Sequence, residues 1–205
     1  MQNFLEHLGF AVAAATGVLA ARGKAIDLFG VMVLAVVTAF GGGTLRDVML
    51  GDFPVMWVLD PGLLLNAVTV AVIVFFVARR RELPVRLLVI ADAGALALFT
   101  AIGVQKALDF HTELTIAVAM GVITGVAGGI LRDLLTGEIP LVFRRAIYLY
   151  ATAALAGATT LALLQKYFPD WSGNLVTSVI VTLALRLAGI RWKLALPLFQ
   201  TRAGS

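Results

Sequence analysis

The chain has 205 residues, of which 60% are hydrophobic and 14% are charged, and its formal net charge is +4. Soluble domains contain about 45–50% apolar and about 25% charged residues, so this composition excludes a soluble globular protein. The chain contains no cysteine, which excludes disulfides, thiolate nucleophiles and cysteine-ligated metals.

Long apolar segments without charged residues predict seven transmembrane helices. Such runs reach about 18 residues, which as a helix cover about 27 Å and nearly cross the hydrocarbon core of a bilayer. The predicted spans, in chain order, are residues 4–20, 26–42, 61–78, 87–104, 114–130, 145–164 and 173–190. The predicted fold class is therefore an all-α polytopic membrane protein, with residues 1–205 in a single transmembrane domain.

The basic residues predict how the chain is oriented. Thirteen Lys and Arg residues, including Arg132 and Arg186, fall on the face reached after the first, third, fifth and seventh spans, and three, including Arg46, fall on the other face. Because basic residues concentrate on the cytoplasmic side, this bias predicts an outside N-terminus and a cytoplasmic C-terminus. No basic patch is interleaved with aromatic residues, so we expect no nucleic-acid partner.

Sliding the chain along itself by 86 residues reveals an internal repeat. From Val31 to Pro54, nine of twenty-four positions are identical to the residue 86 positions later, and the shared pattern is G-G-x-L-R-D-x-x-x-G-[DE]-x-P. Each copy contains three spans, an odd number, so the copies are predicted to insert in opposite orientations. Repeat one covers about 4–78, repeat two about 87–164, and an extra helix at about 173–190 follows. Inverted repeats are typical of transport proteins.

The glycines of the repeat are predicted to bend or unwind their helices inside the bilayer. Glycine is less favourable than alanine in a helix by about 1 kcal/mol. Backbone freed from a helix must be buried in protein or line water, where its carbonyls could replace part of a cation's hydration shell. The alternative is close helix packing, which small residues permit. The recurrence of the motif beside a charge pair favours an ion pathway at Gly41, Gly42, Gly43, Gly128 and Gly129.

Two Arg-Asp pairs follow these glycines. Arg46 and Arg132 each end a long charge-free run and precede Asp47 and Asp133. A charge in the bilayer costs about 3 kcal/mol or more, so it usually faces a cavity or a partner. We hypothesise that the two arginines flank a permeation path at opposite ends and are held by these carboxylates as gating or charge pairs. The alternatives are snorkelling to the headgroups and, in the first copy, a helix cap at Thr44.

Other polar and aromatic residues near the spans are weaker candidates. Asp92 and Lys106 lie near the two ends of the fourth span and could form further charge pairs. Thr38 and Thr124 could offer hydroxyls to an ion, although a hydrogen bond to the carbonyl four residues earlier is the commoner role of threonine in a helix. Aromatic residues are predicted to anchor the spans at the membrane surfaces, at Trp57, Tyr148, Tyr150 and Trp171.

The two motif segments, Gly41 to Gly51 and Gly128 to Pro140, resemble the paired signatures of the trimeric intracellular cation (TRIC) channel family, in its prokaryotic branch. The resemblance extends from Phe4 to about Arg191. It implies a homotrimer in which each subunit has its own pore for monovalent cations, chiefly potassium, kinked at the two glycine motifs. Membrane lipids are expected as partners, and no cofactor and no bound metal are expected. The chain ends without a KDEL-type retention signal, which favours a bacterial plasma membrane.

Two other functional classes are weighed against a cation channel. Related bacterial sequences are also classed as glycine transporters, and inverted repeats with broken helices suit a secondary transporter for a small amino acid such as glycine. An integral membrane enzyme would need the carboxylates Asp47, Asp52, Asp133 and Glu138 to form a metal site. The inverted repeat places the two pairs on opposite sides, so we expect no enzymatic activity and no catalytic residue.

Overall fold

The structure, a computed structural model, describes residues 2–81, 84, 86–144 and 149–194, without the side chains of residues 2–4. All regular secondary structure in these ranges is helical. Tyr148 and the predicted start of the sixth span at residue 145 lie outside the described residues. The helices are α1 (Gln2–Ala20), α2 (Leu28–Leu50), α3 (Met56–Leu59), α4 (Pro61–Arg80), α5 (Arg86–Asp109), α6 (Leu114–Leu135), α7 (Tyr150–Tyr167) and α8 (Asn174–Trp192), with a 3₁₀ turn at Leu141–Phe143.

Five of the described helices, α2, α4, α5, α6 and α8, are long and apolar enough to cross a membrane. Residues Leu5–Ala20 of α1 form a shorter apolar helix. Large apolar side chains such as Phe29, Leu65 and Ile73 are more than half exposed, which suits a surface that contacts lipid. The predicted all-α membrane class is therefore confirmed.

The helices α2 and α6 are longer than predicted. The sequence analysis ends them at residues 42 and 130, whereas both continue as α-helix through the glycines and the Arg-Asp pair, to Leu50 and Leu135. The predicted unwinding at the glycines is wrong. The weak helix propensity of glycine is outweighed here because the helices pack closely at these residues, and tertiary packing routinely overrides propensity.

Each of these two helices ends at the later glycine of its motif. Gly51 and Gly137 have φ values of 71° and 70°, the left-handed region that favours glycine. The next amide N–H, of Asp52 or Glu138, donates to the carbonyl five residues earlier at 2.9 Å in both cases. This is a Schellman motif, which satisfies carbonyls at the end of a helix. The spacing R-D-x-x-x-G therefore specifies a helix end about one turn beyond the charge pair.

Two groups of helices meet along α5 and α6. One contains α1, α2 and α4, whose buried residues form a common core with side chains of α5. The other contains α7 and α8, which pack against each other and against α5. The helices α2 and α6 are packed directly against each other and join the two groups.

Candidate functional site

The helices α2 and α6 cross with their backbones in contact. A Cβ atom added to Gly42 would lie 2.2 Å from the carbonyl oxygen of Thr124, and one added to Gly128 would lie 2.3 Å from that of Thr38. Each glycine thus packs on the carbonyl of the equivalent threonine in the other repeat. The close-packing interpretation of these glycines is the one that the geometry supports.

The other motif glycines have different surroundings. A Cβ atom on Gly41 would meet the Leu131 side chain at 2.5 Å, and one on Gly129 would meet the Tyr150 hydroxyl at 2.9 Å. A Cβ atom on Gly43 would meet only Arg46, at 3.8 Å, which is ordinary contact. In each copy of the motif, one glycine therefore permits the close crossing of α2 and α6, and the other glycines lie next to side chains.

Both candidate threonine hydroxyls bond to their own helices. Thr38 donates to the Leu34 carbonyl and Thr124 to the Met120 carbonyl, each at 2.6 Å. The commoner role of threonine in a helix is thus the observed one. Thr38 also lines a small cavity beside the crossing, where the remaining lone pairs of its oxygen can accept.

That cavity has a volume of about 10 Å³. It is enclosed by α1, α2, α5 and α6, and its polar lining includes Thr16, Thr38, Asp92 and Arg132. The volume fits about one water molecule, and its polar lining suits water better than hydrocarbon. A polar space therefore lies inside a single chain, next to the glycine crossing.

The end of α6 carries a buried group of charged and polar side chains, the α6-end cluster, made up of Asp92, Arg132, Asp133, Tyr150 and Arg186. Arg132 is 0% exposed; its Nη1 lies 2.8 Å from Asp92 Oδ1, and its Nε lies 2.9 Å from Asp133 Oδ1. The second oxygen of Asp133 accepts the backbone N–H of Leu141 at 2.7 Å. One arginine therefore joins α5 to α6, and one aspartate fixes the turn that follows α6.

Two members of this cluster were missed as site residues. Tyr150 is 5% exposed and donates to Asp92 Oδ1 at 3.5 Å, so the prediction that it anchors a membrane surface is wrong. Arg186 of α8 is 0% exposed, and its guanidinium carbon lies 4.9 Å from the centroid of the Tyr150 ring. A signal existed in the sequence, because polar residues recur every four positions along α8.

The end of α2 carries the equivalent α2-end cluster, made up of Arg46, Asp47, Asp52 and Lys106. Arg46 Nη2 lies 2.7 Å from Asp47 Oδ1, and Asp47 Oδ2 accepts the Met56 N–H at 3.2 Å. Lys106 pairs with Asp52, and its Nζ lies 3.5 Å from Asp47 Oδ1. The side chains of Lys106 and Asp52 are 24% and 25% exposed, so this cluster is open to solvent at one edge.

These contacts exclude snorkelling of Arg46 and Arg132 and a helix cap at Thr44. Arg46 and Arg132 are at most 1% exposed and are paired with carboxylates, so they do not snorkel. Thr44 lies within α2 and accepts a hydrogen bond from Trp57 Nε1 at 3.1 Å, so it does not cap the helix. Since Arg46, Arg132 and Arg186 are buried, they do not report membrane orientation, and removing them from the count leaves eleven basic residues against two.

A groove of about 720 Å³ opens beside the α6-end cluster and reaches Asp133. At its rim Lys24 pairs with Glu138, and Arg144 Nη2 lies 3.2 Å from Glu138 Oε2. The hydrogen bond and charge of Lys24, with a smaller effect of Arg144, hold the pKa of Glu138 below its ordinary value of 4.5. The Glu138 carboxylate is therefore ionised at neutral pH, where it pairs with Lys24.

These features follow one another along α5. Asp92 and Lys106 are fourteen residues apart on this helix, which corresponds to about 21 Å. We call this series of features the polar line. It runs from the α2-end cluster, past the glycine crossing and the small cavity, to the α6-end cluster and the groove. Among the described residues, no three His, Asp or Glu side chains are placed to hold a metal ion.

An all-helical membrane protein with a buried line of charges belongs to the broad class of channels and carriers, since charges within the bilayer mark ion and substrate paths. Residues 3–79 and 89–166 match the family model described as "Glycine transporter". A protein described as "UPF0126 inner membrane protein YadS" from Escherichia coli is 46% identical over 96% of this chain and 95% of its own length. A UPF0126 membrane protein of Vibrio cholerae is also 46% identical, over 95% of this chain and 81% of its own.

Solved structures agree with the sequence relatives. The TRIC trimeric intracellular cation channel orthologue from Rhodobacter sphaeroides has a TM-score of 0.89 and 39% identity, over 94% of this chain and 98% of its own. A structure described as the basis for conductance through TRIC cation channels has a TM-score of 0.88 and 29% identity, over 98% of both chains. The chain belongs to the UPF0126 membrane proteins, the bacterial TRIC family. The resemblance seen in the sequence is confirmed, and these neighbours are channels, not enzymes.

Proposed function

We propose that the protein is a potassium-permeable channel for monovalent cations with one ion pathway in each subunit. The observation that carries this proposal is the polar line, which runs inside a single chain from Lys106 to the groove beyond Asp133. Buried charges are costly in a membrane protein and are typical of ion pathways. The solved neighbours described as cation channels support the same function.

We propose that seven helices, all but α3, cross the membrane and that two three-helix repeats insert in opposite orientations. The reciprocal contacts support this: Gly42 lies on the Thr124 carbonyl, and Gly128 lies on the Thr38 carbonyl, as a two-fold axis through the crossing requires. The eleven-to-two distribution of the remaining basic residues supports an outside N-terminus and a cytoplasmic C-terminus. On this topology Arg46 lies towards the outside and Arg132 towards the cytoplasm.

We propose that this conformation is the closed state of the channel. A cavity of about 10 Å³ has no room for a potassium ion with its hydration shell. We expect α2 and α6 to bend and separate at Gly41–Gly43 and Gly128–Gly129 during opening, because small residues leave few side-chain contacts to break. Because Arg132 follows Gly128–Gly129 on α6, a bend there would also shift Arg132 relative to Asp92 of α5, leaving that carboxylate free to attract a cation.

We further propose a homotrimer in the bacterial inner membrane, surrounded by lipid. A relative is described as an inner membrane protein, and a solved neighbour is described as trimeric. The exposed apolar side chains of α4 and α8, such as Ile73 and Ile180, suit contact with lipid or with another subunit.

A glycine carrier is the second candidate, because the matching family model is described as "Glycine transporter". Carriers of this kind bind a substrate carboxylate with the N-termini of broken helices near the middle of the membrane. Here α2 and α6 are unbroken beside the cavity. The geometry therefore favours the channel.

The deciding experiment is reconstitution of the purified full chain in planar bilayers and in liposomes. We expect unitary currents whose reversal potential follows the potassium gradient, with no saturable uptake of radiolabelled glycine. Protein-free bilayers are the control for leak. Saturable glycine uptake without unitary potassium currents would contradict the channel and favour the carrier.

A further inference from the structure

The helix α8, which lies outside the repeat, has a polar face buried within the protein. Its members are spaced four residues apart, so they share one side of the helix. Each is at most 2% exposed, although Ile180 on the opposite side is 59% exposed. We call this face the α8 polar stripe; it consists of Asn174, Ser178, Thr182 and Arg186.

The α8 polar stripe fixes the position of α8 against α7. Ser178 donates to the Gly157 carbonyl at 2.8 Å, and a Cβ atom added to Gly157 would lie 1.7 Å from Thr182 Oγ1. Side-chain hydrogen bonds and small residues are what hold helices together in a bilayer. The stripe thus determines where its last member, Arg186, is placed.

Within the α6-end cluster, Arg186 is linked to Asp92 through Tyr150. Its guanidinium lies over the Tyr150 ring, 4.9 Å from the ring centroid, and the Tyr150 hydroxyl donates to Asp92 Oδ1 at 3.5 Å. Asp92 carries the opposite charge to Arg186 and is linked to it through the Tyr150 side chain. Arg186 therefore acts on the same carboxylate that Arg132 binds directly.

The formal charges of the α6-end cluster sum to zero only when Arg186 is included. Asp92 and Asp133 contribute two negative charges, and Arg132 alone would neutralise one of them. We propose that Arg186 is a positioning residue that balances the charge of the cluster and holds Asp92, through Tyr150, beside Arg132. This inference rests on the proposed function. It assigns control of the cation affinity of the pathway to a helix outside the repeat.

The test compares single-channel conductance of Arg186→Gln with that of wild type in planar bilayers. Loss of one positive charge leaves the cluster negative, so potassium conductance at about 0.02 M KCl should rise about twofold, and the difference should shrink at about 1 M KCl because salt screens charge. The permeability of potassium relative to chloride should rise as well. A purely structural role for Arg186 would not produce this dependence on salt.

Two variants serve as matched controls. Arg191→Gln removes the same charge from an exposed position of α8 and should leave conductance unchanged. Arg186→Lys keeps the charge, so its conductance at low salt should lie closer to wild type than that of Arg186→Gln, although it loses the planar guanidinium over the Tyr150 ring. If Arg186→Gln conducts like wild type at both salt concentrations, the inference is wrong while the channel itself stands. Absence of wild-type currents would instead contradict the proposed function.

A second pair of variants tests the charge balance without the single Arg186→Gln variant. Asp92→Asn leaves the cluster positive and should lower potassium conductance at low salt. Adding Arg186→Gln to Asp92→Asn restores neutrality and should return the conductance towards the wild-type value. A double variant that conducts no better than Asp92→Asn alone would overturn the proposal.

Discussion

The two ends of the polar line carry the same Arg-Asp pair in different surroundings. At the α2 end, Asp47 is shared by Arg46 and Lys106, and the lysine is 24% exposed. At the α6 end, Arg132 is shared by two carboxylates, and each member of the cluster is at most 5% exposed. The motif sets the charge pair, whereas residues outside it decide whether that pair meets solvent. The two ends therefore differ in exposure, since the α2 end is open at one edge and the α6 end is buried.

What the two ends share is a structural role for the aspartate. One carboxylate oxygen binds the neighbouring arginine, and the other accepts a backbone N–H from the segment that follows, that of Met56 or Leu141. Both segments begin a short helical turn that follows the proline of the motif. The repeated motif thus builds two equivalent charged helix ends, and the differences between them come from α1, α5, α7 and α8.

A large effect is expected from breaking the crossing that both copies share. Gly42→Ala places a methyl group 2.2 Å from the Thr124 carbonyl oxygen. Backbone at that position cannot yield without separating α2 from α6, so we expect a loss of about 1–3 kcal/mol or more in the free energy of unfolding. The measurement is the thermal midpoint of the detergent-solubilised protein by size-exclusion chromatography after heating.

Gly43→Ala is the matched control for that substitution. It lies one residue further along α2, where a methyl group meets only ordinary contact with Arg46. It should leave the midpoint unchanged or raise it, because alanine is favoured over glycine in a helix by up to about 1 kcal/mol. Equal destabilisation by the two substitutions would contradict the close crossing at Gly42.

An effect of at least the same size distinguishes the two ends directly. Arg132→Gln leaves Asp92 and Asp133 buried without their shared cation, a change that costs about 3–5 kcal/mol. Arg46→Gln leaves Asp47 with Lys106 and the Met56 N–H, so the loss should be about 1–3 kcal/mol. The thermal midpoints of the two variants, measured side by side, test this order. If Arg132→Gln lowers the midpoint no more than Arg46→Gln does, the proposed difference between the two ends is contradicted.

The smallest effect concerns the rim of the groove. Because Lys24 and Arg144 lower the pKa of Glu138 below 4.5, the ion pair stabilises the fold above pH 4.5 and is lost as the pH falls through the lowered value. The difference in thermal midpoint between wild type and Glu138→Gln should be small and constant from pH 5 to 8, and should vanish in stronger acid. A difference that grows on acidification would contradict the lowered pKa.

The sequence predicts the apolar helices well but not their ends. Charge-free runs locate the spans because the hydrocarbon core excludes charges, and the helices lie where these runs predict. The sequence analysis ends α2 and α6 too early because it relies on the weak helix propensity of Gly42 and Gly128. At these residues the packing of one helix against the other keeps both helices intact. The glycines that do end these helices, Gly51 and Gly137, are visible in the motif, and their spacing from the Arg-Asp pair could have been recognised as a helix end.

The candidate site is only partly accessible to sequence reasoning. The Arg46–Asp47 and Arg132–Asp133 pairs follow from adjacency, whereas the Asp92–Arg132 contact joins α5 to α6 across forty residues of sequence. Arg186 lies near the end of its span, where a buried arginine and a snorkelling one have the same sequence pattern. Only the four-residue spacing of polar residues along α8 separates the two cases.

The most direct test of an ion path inside one subunit uses the absence of cysteine from this chain. Thr38→Cys places a thiol in the lining of the small cavity, and Ser172→Cys places one on the exposed loop before α8. Silver ions are of similar size to potassium and bind thiolate. We predict that silver abolishes the potassium current of Thr38→Cys and leaves the Ser172→Cys current unchanged. A Thr38→Cys channel that conducts normally in silver would contradict a pathway beside the α2–α6 crossing.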